Sequence, residues 1–207
     1  MTESSKIRLF RMVHIENVPH ILTNGLTLAT SENANENYVS IGDGSLIDTR
    51  SSVIVPNGKS LNEFLPFYFW CKMPMLYVVQ KGYNGVTVQH PENIVYCVTN
   101  IEKIIESKIQ FLFTNGHAVS RLSKFFGKDE INSLEEILDF DAITKDYWND
   151  ENDLDLKRRK EAEFLVEGDI PLDFISGWVV YNEKAKKKLL DFGIQENLVV
   201  VRENFYF

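Results

Sequence analysis

The run Lys157-Arg158-Arg159-Lys160-Glu161-Ala162-Glu163-Phe164-Leu165-Val166 carries four consecutive cations into two carboxylates and then into an apolar stretch. Its Phe-Leu-Val end reads as a buried strand or the end of a buried helix, since short apolar runs belong inside a domain. Glu163 abuts that run directly. A carboxylate at the edge of a core needs a partner or a chemical task, because an unpaired buried charge is expensive. Four like charges in a row read either as a solvated helix face or as a site for something negatively charged. The rest of the chain is read as the scaffold that brings other groups to Glu163.

With 207 residues, 44% of them hydrophobic and 12% aromatic, the chain holds enough apolar surface for one well-buried core and is read as a single domain over 1–207. Its formal net charge of −8 makes it a poor general binder of nucleic acid, because the phosphate term is repulsive on average. Any nucleic-acid site must be a local basic patch. Lys157 to Lys160 is one candidate; Lys184, Lys186, Lys187 and Lys188 form another, which also reads as the polar face of an amphipathic helix. Cys71 and Cys97 sit in apolar surroundings and are expected to be buried free thiols rather than a disulfide or metal ligands. The start, Met1 to Lys6, has no apolar core of a signal sequence, and no apolar run approaches membrane-spanning length. A soluble, cytoplasmic, monomeric protein without a metal site is expected.

Outward from the opening stretch, strands are expected at 7–13, 53–56, 75–80, 94–99, 109–113, 177–181 and 198–202. Helices are expected at 18–24, between Asn17 as N-cap and Gly25 as stop, at 101–107, across 130–138, and from Asn182 to about Phe192. Residues 31–45 read as a loop, and 141–156 as a mobile acidic connection with Tyr147 and Trp148 embedded. The segment Phe64 to Tyr77 holds six aromatics and two prolines; its rings serve a core strand, or wall a flat heterocycle, or both. Strands and short helices alternate irregularly, which favours α+β over a doubly wound sheet. No Walker or dinucleotide fingerprint is present.

Several of these segments occur together, in order, in one family. His14-Ile15-Glu16-Asn17-Val18-Pro19-His20-Ile21-Leu22 with Gly25-Leu26, then Arg50, Pro66-Phe67-Tyr68-Phe69 with Pro74-Met75-Leu76, Thr114-Asn115-Gly116-His117-Ala118, and Ala162-Glu163-Phe164-Leu165-Val166 resemble the DarT family of DNA ADP-ribosyltransferase toxins. The matches run from residue 8 to about 180. The resemblance implies an ADP-ribosyltransferase-like mixed fold, a central split β-sheet flanked by short helices. It implies a reaction that takes ADP-ribose from NAD and attaches it to a base of single-stranded DNA, thymine in most such proteins and guanine in one branch. It also implies a macrodomain antitoxin as partner. Carried over by position, Glu163 is the catalytic glutamate and Arg50 the essential arginine. His14, Asn17, Leu22, Tyr68, Met75 and His117 are the NAD-binding set. Lys72, Trp148, Arg158, Arg159 and Lys160 are the candidate DNA contacts. Lys72 stands where the family pattern has arginine, which keeps the charge but not the bidentate fork.

The residue types suit that chemistry. Breaking the nicotinamide–ribose bond develops positive charge on the ribose, as in glycoside hydrolysis, and a carboxylate beside it stabilises that charge. Arg50 can hold a pyrophosphate or act on the acceptor base. Two rival readings stay open at this stage. Glu161-Ala162-Glu163 has the two-glutamate spacing associated with arginine-specific transfer to protein, alongside transfer to guanine or RNA; and the chain can be a non-catalytic NAD or nucleic-acid binding module.

Overall fold

A computed structural model describes residues 7–207; the expectation about Met1 to Lys6 lies outside the described residues. Eight strands form one sheet: β1 (Arg8–His14), β2 (Phe64–Tyr68), β3 (Ile94–Asn100), β4 (Phe111–Thr114), β5 (Phe125–Phe126), β6 (Glu163–Glu167), β7 (Gly177–Val180) and β8 (Val199–Val201). The order across the sheet is β5-β4-β6-β2-β1-β3-β7-β8, and only β7 and β8 run parallel. The α-helices are α1 (Val18–Asn24), α2 (Gly44–Ser52), α3 (Pro74–Lys81), α4 (Ile101–Glu106), α5 (Leu134–Ile137), α6 (Phe140–Thr144), α7 (Leu156–Lys160) and α8 (Glu183–Asp191). This is the expected α+β class.

The sheet is split at its centre, and the split has a local cause. β1 pairs with β3 along its whole length, and β2 pairs with β6 from Phe64↔Glu167 to Tyr68↔Glu163. Between β1 and β2 only Phe10↔Tyr68 is in register. Beyond that point Arg11 bridges the strands, donating from Nη1 to the Pro66 carbonyl at 2.9 Å. In an antiparallel strand a residue's N–H and C=O point the same way. The N–H that proline lacks would therefore have faced β1. Pro66 removes a ladder bond only on the gap side and leaves the β2–β6 ladder whole.

Both faces of the sheet are covered. Leu9, Val13, Cys97, Phe113, Phe164 and Trp178 pack with Ile21, Ile101, Ile104 and Leu189 from α1, α4 and α8. On the other face, Phe10, Tyr96 and Val98 pack with Cys71, Leu76, Val79 and Tyr206. The cysteines fall in different clusters and are free, and burial pushes both thiols up to about 12. A small third cluster, Val55, Leu61, Phe64, Ala118 and Leu165, packs beside Glu163. Strand alternation puts Leu165 on the same face as Glu163. Gly25 ends α1 at φ 76°, and a Cβ there would lie 2.2 Å from the Ile170 carbonyl oxygen. Only glycine lets the chain pass so close, and Leu26 and Ile170 then exchange backbone hydrogen bonds at 2.8 Å.

Four expectations are corrected. Residues 75–80 are not a strand but lie in α3. Pro74 is preorganised for a helix N-terminus, Gly82 stops the helix at φ 73°, and Leu76 and Val79 bury one face. Residues 53–56 form no strand: Val55 donates to the Lys59 carbonyl and Gly58 donates to that of Val55, a tight turn with one isolated bridge, Ile54↔Ser60. The 31–45 loop stops at Asp43, which caps α2 by accepting from the Ser45 N–H at 3.0 Å. None of the residues of α2 is buried, so it carries no amphipathic signal to read. Finally, the 141–156 connection is anchored at its start, because α6 buries Ala142 and Ile143.

Candidate active site

Glu163 opens β6 and is fully buried. Its two oxygens are held differently. Oε2 accepts from Arg50 Nη1 at 2.8 Å, and Oε1 accepts from the backbone N–H of Ala118 at 2.8 Å. The Glu163 backbone N–H is fixed in turn by Thr114 Oγ1 at 3.1 Å. Such charge-assisted bonds fix a carboxylate more firmly than neutral ones do. Arg50 comes from the C-terminal half of α2, 113 positions earlier in the chain. Tyr68 lies opposite Glu163 in the ladder; burial, then the Glu163 charge, raise its phenol above the ordinary range.

A cavity of about 380 Å³ opens at the split between β1 and β2. Its walls include Arg11 and Met12 from β1, Tyr68 from β2, Arg50 and Ile47 from α2, Met75 from α3, and His117 from the turn after β4. Arg50, Tyr68, Met75 and His117 are thus brought together around one cavity. Two arginines that line it each keep a buried donor without a protein acceptor, Arg11 Nε and Arg50 Nη2. A pair of guanidinium donors of this kind fits a pyrophosphate or another anion, and the apolar Met12, Ile47 and Met75 surfaces fit flat rings. A larger cleft of about 530 Å³ lies elsewhere, between Asn57, Lys108, Gln110 and Lys128. It contains none of Arg50, Tyr68, Met75 and His117, so volume alone does not mark the site; Glu163 itself lies behind the wall of the smaller cavity, bonded to Arg50 and to the Ala118 N–H next to His117.

The other members of the expected cofactor set stand outside the cavity wall. His14 ends β1, and its Nδ1 accepts from the Glu16 N–H at 3.2 Å; burial lowers the imidazole pKa. Asn17 does not cap α1. Its amide grips Val39 instead, donating to that carbonyl and accepting from that N–H, both at 2.9 Å. Through Val39 it fixes the 35–41 loop, whose Asn35, Tyr38 and Ile41 line the cavity. Leu22 packs against the main core.

The expected DNA contacts divide. Lys72 and Trp148 lie on one aromatic surface: Lys72 Nζ is 5.5 Å from the Phe207 ring centroid, and Trp148 meets Phe207 and Tyr77 edge-on. Lys72 Nζ also lies 3.6 Å from Asp146. The Arg158–Lys160 run is tied into the fold. Arg158 is gripped by both Asp155 oxygens at 2.7 Å. Arg159 is paired with Asp139 at 2.8 Å and with Asp153. Lys160 is buried, donating to the carbonyls of Ile143 and Lys145, and burial lowers its pKa to about 8. These three cations are internal ties: aspartates pair with Arg158 and Arg159, and backbone carbonyls enclose Lys160.

Sequence reasoning missed Arg11, Asp43 and the Ala118 N–H. Arg11 had a signal, a charge in the middle of an otherwise half-buried strand. Asp43 followed by Ser45 is a helix-capping pattern hidden by a helix without an apolar face. Ala118 acts through its backbone and has none. Glu161, like Glu163, is buried and off the cavity wall, but it is Glu163 on which Arg50 and the Ala118 N–H converge; burial raises the Glu161 carboxyl pKa.

A split α+β sheet, with a buried glutamate at the start of the strand next to β2, one strand from the gap, and an arginine laid on it, defines the ADP-ribosyltransferase class. The chain matches the family model described as "ssDNA thymidine ADP-ribosyltransferase, DarT" over residues 10–207. It is 31% identical to an Escherichia coli protein named DNA ADP-ribosyl transferase, over 98% of this chain and 94% of that one. A protein of the same name from Thermus sp. strain 2.9 is 30% identical, covering 96% and 95%. The solved structure of Thermus sp. 2.9 DarT in complex with ADP-ribosylated ssDNA superposes with a TM-score of 0.84 at 26% identity, covering 97% of this chain and 96% of that one. The same protein in complex with NAD+ gives 0.77, at 26% identity, covering 100% and 99%. The chain belongs to the DarT family.

Proposed function

We propose that this chain transfers ADP-ribose from NAD to a base of single-stranded DNA, thymine being the base, and releases nicotinamide. The observation that carries the reading is the Glu163 carboxylate, oriented by Arg50 and the Ala118 N–H, beside a cavity with unpartnered guanidinium donors. NAD supplies the nicotinamide–ribose bond that is broken. Glu163 stabilises the positive charge that grows on the ribose; electrostatic help of this kind amounts to about 2.7–4 kcal/mol per group. Arg50 holds Glu163 through Nη1 and keeps Nη2 for the cofactor or the acceptor base. Arg11 offers a second guanidinium to the pyrophosphate. Met75 and Tyr68 wall the rings, and His117 stands where a proton can be taken from the acceptor. His14 and Asn17 support the cofactor end, Asn17 by holding the loop through Val39. Lys72 and Trp148 hold the strand by charge and stacking, and single-stranded substrate avoids the cost of flipping a paired base.

The names of the relatives support this reading, and the solved Thermus complexes show that a protein of this fold carries both NAD+ and modified single-stranded DNA. We further propose that the chain acts as a toxin paired with a macrodomain antitoxin. A Thermosipho africanus relative, 28% identical over 96% of this chain, is named as a fusion of a DNA ADP-ribosyl transferase with a DNA ADP-ribosyl glycohydrolase. Incubation with NAD and four oligonucleotides, each offering one base, tests the activity. Mass spectrometry should find ADP-ribose on the thymine oligonucleotide alone. Modification of guanine, RNA or protein instead would move the acceptor, and no transfer to any acceptor would leave a binding module.

A further inference from the structure

Arg158 has no place in that reading as a DNA contact, yet it is one of the most heavily bonded cations in the described chain. Its guanidinium is gripped by Asp155 on one side, Nε to Oδ1 and Nη2 to Oδ2, both at 2.7 Å. On the other side Nη1 donates to the Asn115 carbonyl at 3.1 Å and to Ser123 Oγ at 3.2 Å. The Arg158 carbonyl accepts from the His117 N–H at 2.9 Å. Gly116 lies between these contacts. A Cβ there would stand 2.3 Å from Arg158 Nη1 and 2.8 Å from the Arg158 carbonyl oxygen. The arginine is therefore moulded against the backbone of the 115–117 turn, and glycine is required at its centre for steric reasons alone. The turn leads directly to Ala118, whose N–H fixes Glu163 Oε1, and it carries His117 into the cavity wall. Thr114 completes the frame, donating to the Gly116 carbonyl at 2.7 Å while accepting from the Glu163 N–H.

We infer that Arg158 is a positioning residue for the proposed transfer: held by Asp155, it shapes the Asn115–Ala118 turn that orients Glu163 and presents His117. The inference rests on the reading of Glu163 as the catalytic carboxylate. The planar fork is what the geometry uses, since one guanidinium faces a carboxylate and a backbone carbonyl at once. A lysine ammonium can satisfy one of those sides but not both in the same plane.

The test compares Arg158→Ala, Arg158→Lys and Asp155→Asn with the unaltered chain, using NAD and a thymine oligonucleotide. Glu163→Gln serves as the control for the underlying reading. A misplacement of about 1 Å in a reacting group costs roughly 100-fold in rate, so kcat should fall by about 10- to 100-fold in Arg158→Ala. Oligonucleotide affinity and its salt dependence should stay unchanged. Arg158→Lys should recover only part of the loss, and Asp155→Asn should show a smaller loss of the same kind. In ¹⁵N-labelled protein the Ala118 amide proton, bonded to a carboxylate, should move upfield in Arg158→Ala while the spectrum elsewhere holds, a change that a merely structural role would not single out. If Arg158→Ala does not fold, Asp155→Asn decides by the same readouts. Weaker oligonucleotide binding with a shallower salt dependence and normal kcat would make Arg158 a phosphate contact and overturn the inference. So would an unchanged kcat. If Glu163→Gln kept normal activity, the catalytic reading itself would fail, whatever the Arg158 variants did.

Discussion

Removing the charge of Glu163 should damage stability as well as activity, and the two losses can be separated. The carboxylate is fully buried and answers two donors, Arg50 Nη1 and the Ala118 N–H. The Arg50 side chain is only 14% exposed, and its Nη2 already lacks an acceptor. Truncating one partner of a buried ion pair costs about 3–5 kcal/mol, because the other charge is left uncompensated. Glu163→Ala should lie in that range, toward the low end, since the cavity admits water to Arg50. Glu163→Gln is gentler but not silent. Its amide has one acceptor oxygen for two donors, so one donor is orphaned at a cost of about 1–3 kcal/mol. Urea unfolding of Glu163→Gln, Arg50→Met and the double variant forms a cycle, and the pair should show a coupling of about 1–3 kcal/mol. In thermal melts each kcal/mol lost should lower Tm by about 2–4 °C for a chain of this size. Transfer to a thymine oligonucleotide should be abolished in both Glu163 variants. A coupling below about 0.5 kcal/mol, or near-normal transfer by a folded Glu163→Ala protein, would refute the reasoning.

The remaining expectations concern the walls of the site and one buried cation. Arg50→Ala should weaken NAD binding by less than about tenfold while removing transfer to DNA, as measured by calorimetry and the oligonucleotide assay; a larger loss assigns Arg50 to the cofactor. Asn17→Ala removes both ties to Val39, so NAD affinity should fall and hydrogen exchange at 35–41 should quicken, whereas α1, which Asn17 does not cap, should keep its protection. Lys160 is held at about 8 when folded by burial, against about 10.4 unfolded. The unfolded chain therefore binds more protons between those values, and Lys160 adds stability as pH rises through that window, on the order of 2–3 kcal/mol. The raised thiols of Cys71 and Cys97 act in the opposite sense from about pH 8.5 upward, and Cys71 interacts with Lys160, so the readout is the comparison with Lys160→Met made in a Cys71→Ala background, where the Cys97 contribution cancels. Parallel stability–pH curves for the two proteins would count against the assignment.

What the sequence determined by itself was local or repeated in a period. The apolar run after Glu163, the strand before His14 and the helix between Asn182 and Gly193 each announce themselves within a few residues, because strand burial and helix stops are short-range effects. Glu163 was visible as a charge set against a core. Tertiary structure decided the rest. α2 buries nothing, so no pattern marked the helix that carries Arg50 across 113 positions to Glu163. α3 reads as a strand by its Tyr-Val-Val content and becomes a helix because Pro74 and Gly82 bound it and the sheet already has its partners. The cations at 157–160 show the difference most clearly. In sequence they are a basic run facing any anion. In the fold, Asp139, Asp153 and Asp155 close on Arg158 and Arg159, and carbonyls at the end of α6 and just beyond it enclose Lys160. A charge's partner is chosen by distance in space, because the attraction between charges weakens as that distance grows, and spacing along the chain does not encode it.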